Sequence, residues 1–198
     1  TPGRSVIVGE DLEVEILDST PVGNRIIRLV TPLALEDALS QYGHVPLPPY
    51  IARPTEPLDR ERYQTVYARE RGSVAAPTAG LHFTEDLLRR LEEKEVRRAS
   101  VSLHVGIGTF RPVEVDDPRD HVMHAESYVV GEESADVINT TRDAGGRVWA
   151  VGTTTVRTVE TVADQGGHVQ AGEGDTRLFI RPPGPLKAVQ GLITNFHL

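Results

Sequence analysis

The chain of 198 residues contains no cysteine, which excludes disulfides, thiolate nucleophiles and cysteine-based zinc sites. No apolar run approaches the roughly 18 residues that a membrane span needs, and no stretch reads as a signal peptide. A cytoplasmic protein with no membrane partner is therefore the expectation. Positive charge is also short, with 21 Lys and Arg against 29 Asp and Glu and a net charge of −8, which argues against a nucleic-acid partner. Methionine occurs once, at Met123. The chain opens on Thr1 and stops at Leu198 straight after an apolar run, so both ends look cut and a fragment is expected. There is no internal repeat and no low-complexity tract.

The shortage of positive charge is uneven. Residues 1–49 hold 3 basic and 7 acidic side chains and residues 101–150 hold 4 and 9, whereas residues 50–100 hold 10 and 9. Residues 151–198 hold 4 of each, so the acidity lies outside the region around Gly72–Thr84, the stretch Gly-Ser-Val-Ala-Ala-Pro-Thr-Ala-Gly-Leu-His-Phe-Thr. Gly72 and Gly80 permit positive φ there. Thr84 can cap a helix beginning near Glu85, whose acidic first turn suits the helix dipole. Two readings are open: a tight loop that lets a helix pack against a sheet, or a ligand loop feeding a helix N-terminus. Arg89-Arg90 and Arg97-Arg98 are read as a solvated face before they are read as phosphate contacts.

Periodicity divides the chain in two. Leu12, Val14 and Ile16 alternate with Glu13 and Glu15, as in a half-buried strand. Residues 20–24 are turn chemistry, Arg25–Val30 reads as the partner strand and Ser5–Val8 as another. So few strands predict a piece of a small all-β, barrel-like domain over 1–45, incomplete here, with a short helix over Leu33–Tyr42. Pro46, Pro48 and Pro49 make Val45–Ile51 a linker or rigid strap. Arg60–Ala68 reads as a short helix or turn. From 46 to 198 the pattern predicts an α/β domain: helices Glu85–Glu95, Glu133–Asp143 (ended by Gly145-Gly146) and Val156–Asp164, with strands Ala99–Val105, Arg147–Val151, Arg177–Ile180 and Val189–Thr194, and a stretch His121–Val130 that runs from a polar loop into a strand. Strands separated by helices imply a mixed, largely parallel sheet.

Polar residues gather where strands end. Gly152-Thr153-Thr154-Thr155 followed by Arg157 sits at a strand-to-helix junction, the edge where open α/β sheets bind ligands. Its hydroxyls and N–H groups suit a carboxylate, ribose or phosphate, Arg157 adds a bidentate donor, and Glu160 lies one turn on. The alternative is that one Thr caps the helix and the others satisfy themselves locally. A Walker ending is missing. Gly106-x-Gly108 follows a strand carrying His104, lacks the third glycine of a dinucleotide fingerprint, and leaves His104 as either a core histidine or a cleft residue. His121, His124 and Glu126 have metal-like spacing, but no separate cluster supplies further ligands. Hydrogen bonding or proton transfer is the preferred reading and no metal is expected. Asn195 and His197 offer an amide and an imidazole at the same edge. Together these loops predict a cleft for a polar, ribose- or carboxylate-bearing small molecule, and spacing alone names no reaction.

Seven ordered blocks add a resemblance: residues 46–51, 61–68, 72–83, 103–112, 124–126, 150–157 and 192–198. On these the chain closely resembles the S-adenosylmethionine:tRNA ribosyltransferase-isomerase family of queuosine biosynthesis, while residues 1–45 match only in position and strand character. The resemblance implies transfer and isomerisation of the ribosyl part of S-adenosylmethionine, consumed as donor, onto the aminomethyl group of a 7-deazaguanine wobble base in tRNA. The product is an epoxycyclopentanediol-bearing base, with adenine and methionine released. It also implies a monomeric cytoplasmic transferase, a larger α/β domain and a smaller inserted barrel. The roles expected are His82, His124 and Glu126 for proton transfer. Thr78, Gly106, Gly108, Thr153, Thr154, Thr155, Arg157, Asn195 and His197 are expected to line the substrate site. The family pattern departs at both ends, where an α/β segment before the barrel and a helical stretch after Leu198 are missing. A rival expectation is a catalytically inert nucleotide- or tRNA-binding fragment, and a weaker one is a hydrolase with a His/Glu metal site.

Overall fold

The computed structural model describes residues 2–20, 23–48, 51–110, 115, 117, 119, 123–181 and 184–195. The chain divides into two compact units, Thr1–Val45 and Pro46–Leu198.

In the first unit, β1 (Ser5–Gly9), β2 (Leu12–Ser19) and β3 (Arg25–Val30) form an antiparallel sheet in sequence order. Register shifts at Ile7/Gly9 and Ile16/Asp18 bend it, as bulges do. Helix α1 (Leu35–Tyr42) follows. The Tyr42 ring lies against Gly9, where a Cβ would collide with it, and its hydroxyl accepts the Asp11 N–H at 3.2 Å. Leu12 and Ala38 are buried, yet Val6, Ile7, Ile26, Ile27, Leu35 and Leu39 are exposed. Leu12 is buried but Glu13, Val14, Glu15 and Ile16 are all half-buried, so the expected alternation does not show in the burial; a three-stranded sheet with one short helix cannot enclose an apolar face.

The second unit contains α2 (Asp59–Arg62), a 3₁₀ turn over Thr78–His82, α3 (Glu85–Glu92), β4 (Val101–His104) and a 3₁₀ turn over Ile107–Phe110. Then come β5 (Glu126–Val130), α4 (Glu132–Asp143), β6 (Trp149–Val151), α5 (Thr153–Val162), β7 (Gly172–Thr176) and β8 (Gly191–Ile193). Its sheets are β4-β5-β7, paired antiparallel, and β6-β8, paired parallel. Among the described residues the parallel pairing suggested by the alternation of helices and strands is thus confined to β6 and β8.

Helix α5 lies against β4, β5, β6 and β7 and supplies Val156 and Val159 to a core shared with Val130, Ile138, Ala150 and Val189. Three polar clamps close this unit. The buried Glu160 carboxylate accepts the N–H groups of Lys187 (2.7 Å), Ala188 (2.9 Å) and Val189 (3.0 Å). Arg142 donates to the carbonyls of Ala188 and Gly166, both at 2.9 Å. Asn139 exchanges two bonds with the Val169 backbone, both at 2.8 Å.

Two elements differ from the sequence expectation. The penultimate strand is Gly172–Thr176, and residues 177–180 form none. Gly-Glu-Gly-Asp-Thr has almost no strand propensity, but Gly174 pairs with Tyr128 and accepts its ring across the ladder, an aromatic covering a glycine. Helix α5 begins at Thr153, three residues before Val156, so the three threonines form its first turn. Strand β5, Glu126–Val130, is the strand end of the stretch over 121–130. No helix among the described residues is long and apolar enough to cross a membrane.

Candidate functional site

The start of α5 is built by glycine. Gly152 precedes the helix at φ 87, ψ 148, a conformation that side chains resist, and no side chain caps the helix. The Gly152 N–H donates to the Ile193 carbonyl at 2.8 Å. The C-terminal ends of the parallel strands β6 and β8 therefore meet the first turn of α5, and half-buried Asn195 follows two residues on. An uncapped helix start of this kind presents N–H groups and positive dipole to an anion. Thr155 spends its hydroxyl on the Val151 carbonyl at 2.7 Å. Among the described residues no partner appears for the hydroxyls of Thr153 and Thr154.

The loop before α3 reaches this edge from two directions. The Val74 N–H donates to Val105 O at 3.0 Å and the Val105 N–H to Ser73 Oγ at 3.2 Å, so residues 73–74 run along the end of β4. Gly72, at φ 129, lies on the His104 imidazole, and a Cβ there would be 2.8 Å from Nδ1. A Cβ added at Gly152 would come to 3.9 Å from the Pro77 side chain, so Pro77, next to Thr78 in the chain, borders the start of α5. Gly80, inside the 3₁₀ turn, is pressed against the Tyr67 hydroxyl, and burial raises the pKa of that phenol. His82 ends the turn, exposed. Thr84 caps α3 by accepting the Leu87 N–H at 3.1 Å.

The third part is an ion pair. Arg157, on α5, donates through one terminal nitrogen to Glu126 at 2.6 Å. Through the other it donates to the carbonyls of His124 (3.1 Å) and Thr176 (3.3 Å). The Arg157 and Glu126 side chains are 14% and 8% exposed, so both charges are largely desolvated and matched to each other. The fork expected to face a substrate anion is thus filled by acceptors of the chain itself. The His124 side chain remains exposed, and its imidazole edge rests on Gly108, where a Cβ would collide with it.

The structure therefore gathers Thr78 with Thr153–Thr155 and Asn195, and separately His124 with Glu126, Arg157 and Gly108. His82 makes no hydrogen bond to His124 or Glu126. Gly106 is exposed beside Gly108. His121 and His197 lie outside the described residues. Among the described residues no group of three or more His, Asp or Glu could hold a metal. Sequence reasoning placed Glu160 one turn beyond Arg157 as a site neighbour; the fold turns it to the 187–189 backbone instead. It missed Thr176 and Tyr67, whose roles come from pairing across the chain and leave no local signal.

Polar side chains and an uncapped helix start at the ends of parallel strands are the kind of edge at which open α/β sheets hold ligands. Over residues 1–198 the chain matches the family of queuosine biosynthesis proteins, and it belongs to that family. It is 50% identical over 196 residues to an S-adenosylmethionine:tRNA ribosyltransferase-isomerase of Trichlorobacter lovleyi, covering 99% of this chain and 58% of that protein. It is 53% identical over 198 residues to the protein of that name from Symbiobacterium thermophilum, covering 100% and 58%. A crystal structure of an S-adenosylmethionine tRNA ribosyltransferase from Thermotoga maritima aligns with 100% of this chain and 51% of its own at 30% identity and TM-score 0.46. The chain thus spans less than two thirds of the relatives it matches.

Proposed function

We propose that this chain forms part of an S-adenosylmethionine:tRNA ribosyltransferase-isomerase. In that reaction the ribosyl group of S-adenosylmethionine moves to the 7-aminomethyl-7-deazaguanine wobble base of tRNA and is isomerised, with loss of adenine and methionine. The observation that carries the reading is identity of about half over the whole chain to proteins of that name, with the polar residues at the strand ends inside the matched span. We further propose a cytoplasmic monomer with S-adenosylmethionine and tRNA as substrates, with an α/β domain over 46–198 and a small all-β, barrel-like domain over 1–45.

The geometry suits the chemical demands. The methionine carboxylate or the ribose hydroxyls find donors at the uncapped start of α5, among Thr153, Thr154, Thr78 and Asn195. Departure of adenine needs an acid, and removal of the proton beside the sulfonium needs a base. His82 and His124 are the exposed imidazoles for these steps. Glu126, paired with Arg157, serves the second of them as its charged neighbour rather than as a free carboxylate.

The test is release of adenine from S-adenosylmethionine in the presence of tRNA carrying the aminomethyl-deazaguanine base. Turnover that requires that tRNA supports the reading. Binding of either substrate without adenine release would assign the chain to an inert binding module.

A further inference from the structure

We propose that Arg157 is a positioning residue for His124, acting through the His124 backbone rather than on the substrate. The proposal rests on the reaction read above only for its kinetic arm. The fork of Arg157 is divided between one carboxylate and two carbonyls of the chain: Glu126 at 2.6 Å, His124 at 3.1 Å and Thr176 at 3.3 Å. These acceptors sit at the start of β5, just before it, and at the end of β7. One guanidinium on α5 therefore fixes where β5 begins, and with it the residue whose imidazole is exposed. The same imidazole is bounded from the other side by Gly108, where an added Cβ would collide with its edge. His124 is held at backbone and ring by two separate devices. The two terminal nitrogens of the planar guanidinium reach all three acceptors, a spread that a lysine ammonium does not cover.

Among the described residues no other side chain on α5 has this arrangement. The neighbouring link, Thr161 Oγ1 to Thr176 Oγ1 at 2.6 Å, joins the same helix to the same strand without touching His124. It supplies a control. Thr161 Oγ1 also donates to the Arg157 carbonyl at 2.7 Å, so Thr161→Val loosens the α5–β7 junction but keeps the guanidinium that bonds the His124 carbonyl, whereas Arg157→Lys removes the hold on that carbonyl.

The experiment compares wild type, Arg157→Lys, Thr161→Val and Gly108→Ala by two readouts. The first is the NMR position and line width of the His124 imidazole signals in the free protein, which needs no turnover. The second is the division between kcat and KM for S-adenosylmethionine in adenine release. We expect Arg157→Lys and Gly108→Ala to shift or broaden the His124 signals and Thr161→Val to leave them unchanged. Misplacement of a reacting group by about 1 Å costs about 100-fold, so kcat should fall by that order in the first two while KM stays within about twofold of wild type. Gly108→Ala displaces an exposed ring and no core residue, so it tests the account even where Arg157→Lys fails to fold. A large rise in KM with little change in kcat for Arg157→Lys would make Arg157 a substrate-binding group and overturn the proposal. Unchanged His124 signals in both variants would overturn it too. Absence of adenine release in wild type would refute the functional reading and leave the NMR comparison to decide this one.

Discussion

Replacing Glu160 by Ala tests the core of the second unit. Its carboxylate is 7% exposed and accepts three consecutive N–H groups, of which those of Ala188 and Val189 are buried with it. The Lys187 N–H is nearer solvent and can turn to water. A hydrogen bond to a charged group contributes about 1.5–3 kcal/mol, and a buried donor left without a partner costs about 1–3 kcal/mol. Counting only the two buried bonds at the lower end of that range gives about 3–4 kcal/mol of lost stability. For a chain of this size each kcal/mol lowers Tm by about 2–4 °C, so Glu160→Ala should melt about 6–16 °C below wild type. Hydrogen exchange localises the effect. Amides 187–189 should lose protection first, and β8, which follows them and meets Gly152 through Ile193, should loosen next. Unchanged protection at 187–189, or a Tm within about 2 °C of wild type, would show that Glu160 is not what holds that segment.

Two further perturbations probe the second unit. Gly152→Ala imposes a side chain on φ 87 at a cost of about 1–3 kcal/mol, so the urea midpoint should fall; an unchanged midpoint would show that the helix start needs no glycine. Asp59 is held at a pKa of about 2, below its ordinary 3.8, chiefly by Arg53 and then by the Glu56 N–H. A depressed carboxylate contributes stability above its unfolded pKa and loses it as pH falls toward the folded one. The stability gap between wild type and Asp59→Asn should therefore be full above about pH 4 and close toward about pH 2; a gap that ignores pH would contradict the Arg53 pairing.

What the sequence revealed follows the range of the interactions. Thr84 as the cap of α3, the hairpins of the first unit and the end of α4 at Gly145-Gly146 are local events, set by side chains within a few residues of the backbone they satisfy. The position of Gly152 at a strand-to-helix junction was legible for the same reason. The Arg157–Glu126 pair spans 31 residues and the Glu160 nest 27 to 29. Neither residue type tells which distant partner it will meet, so Arg157 read as a substrate anion donor and Glu160 as its neighbour. Strand Gly172–Thr176 was invisible because its stability comes from Tyr128 and the β5 ladder, where tertiary pairing overrides propensity.

The functional claim is tested most directly by supplying the protein with S-adenosylmethionine labelled in its ribose carbons and tRNA bearing the aminomethyl-deazaguanine base, then digesting the tRNA for nucleoside mass analysis. The account predicts that the labelled ribose carbons appear on the wobble nucleoside, in step with free adenine and methionine. Unlabelled tRNA with no adenine, or a labelled S-adenosylhomocysteine product with a methylated base, would contradict it.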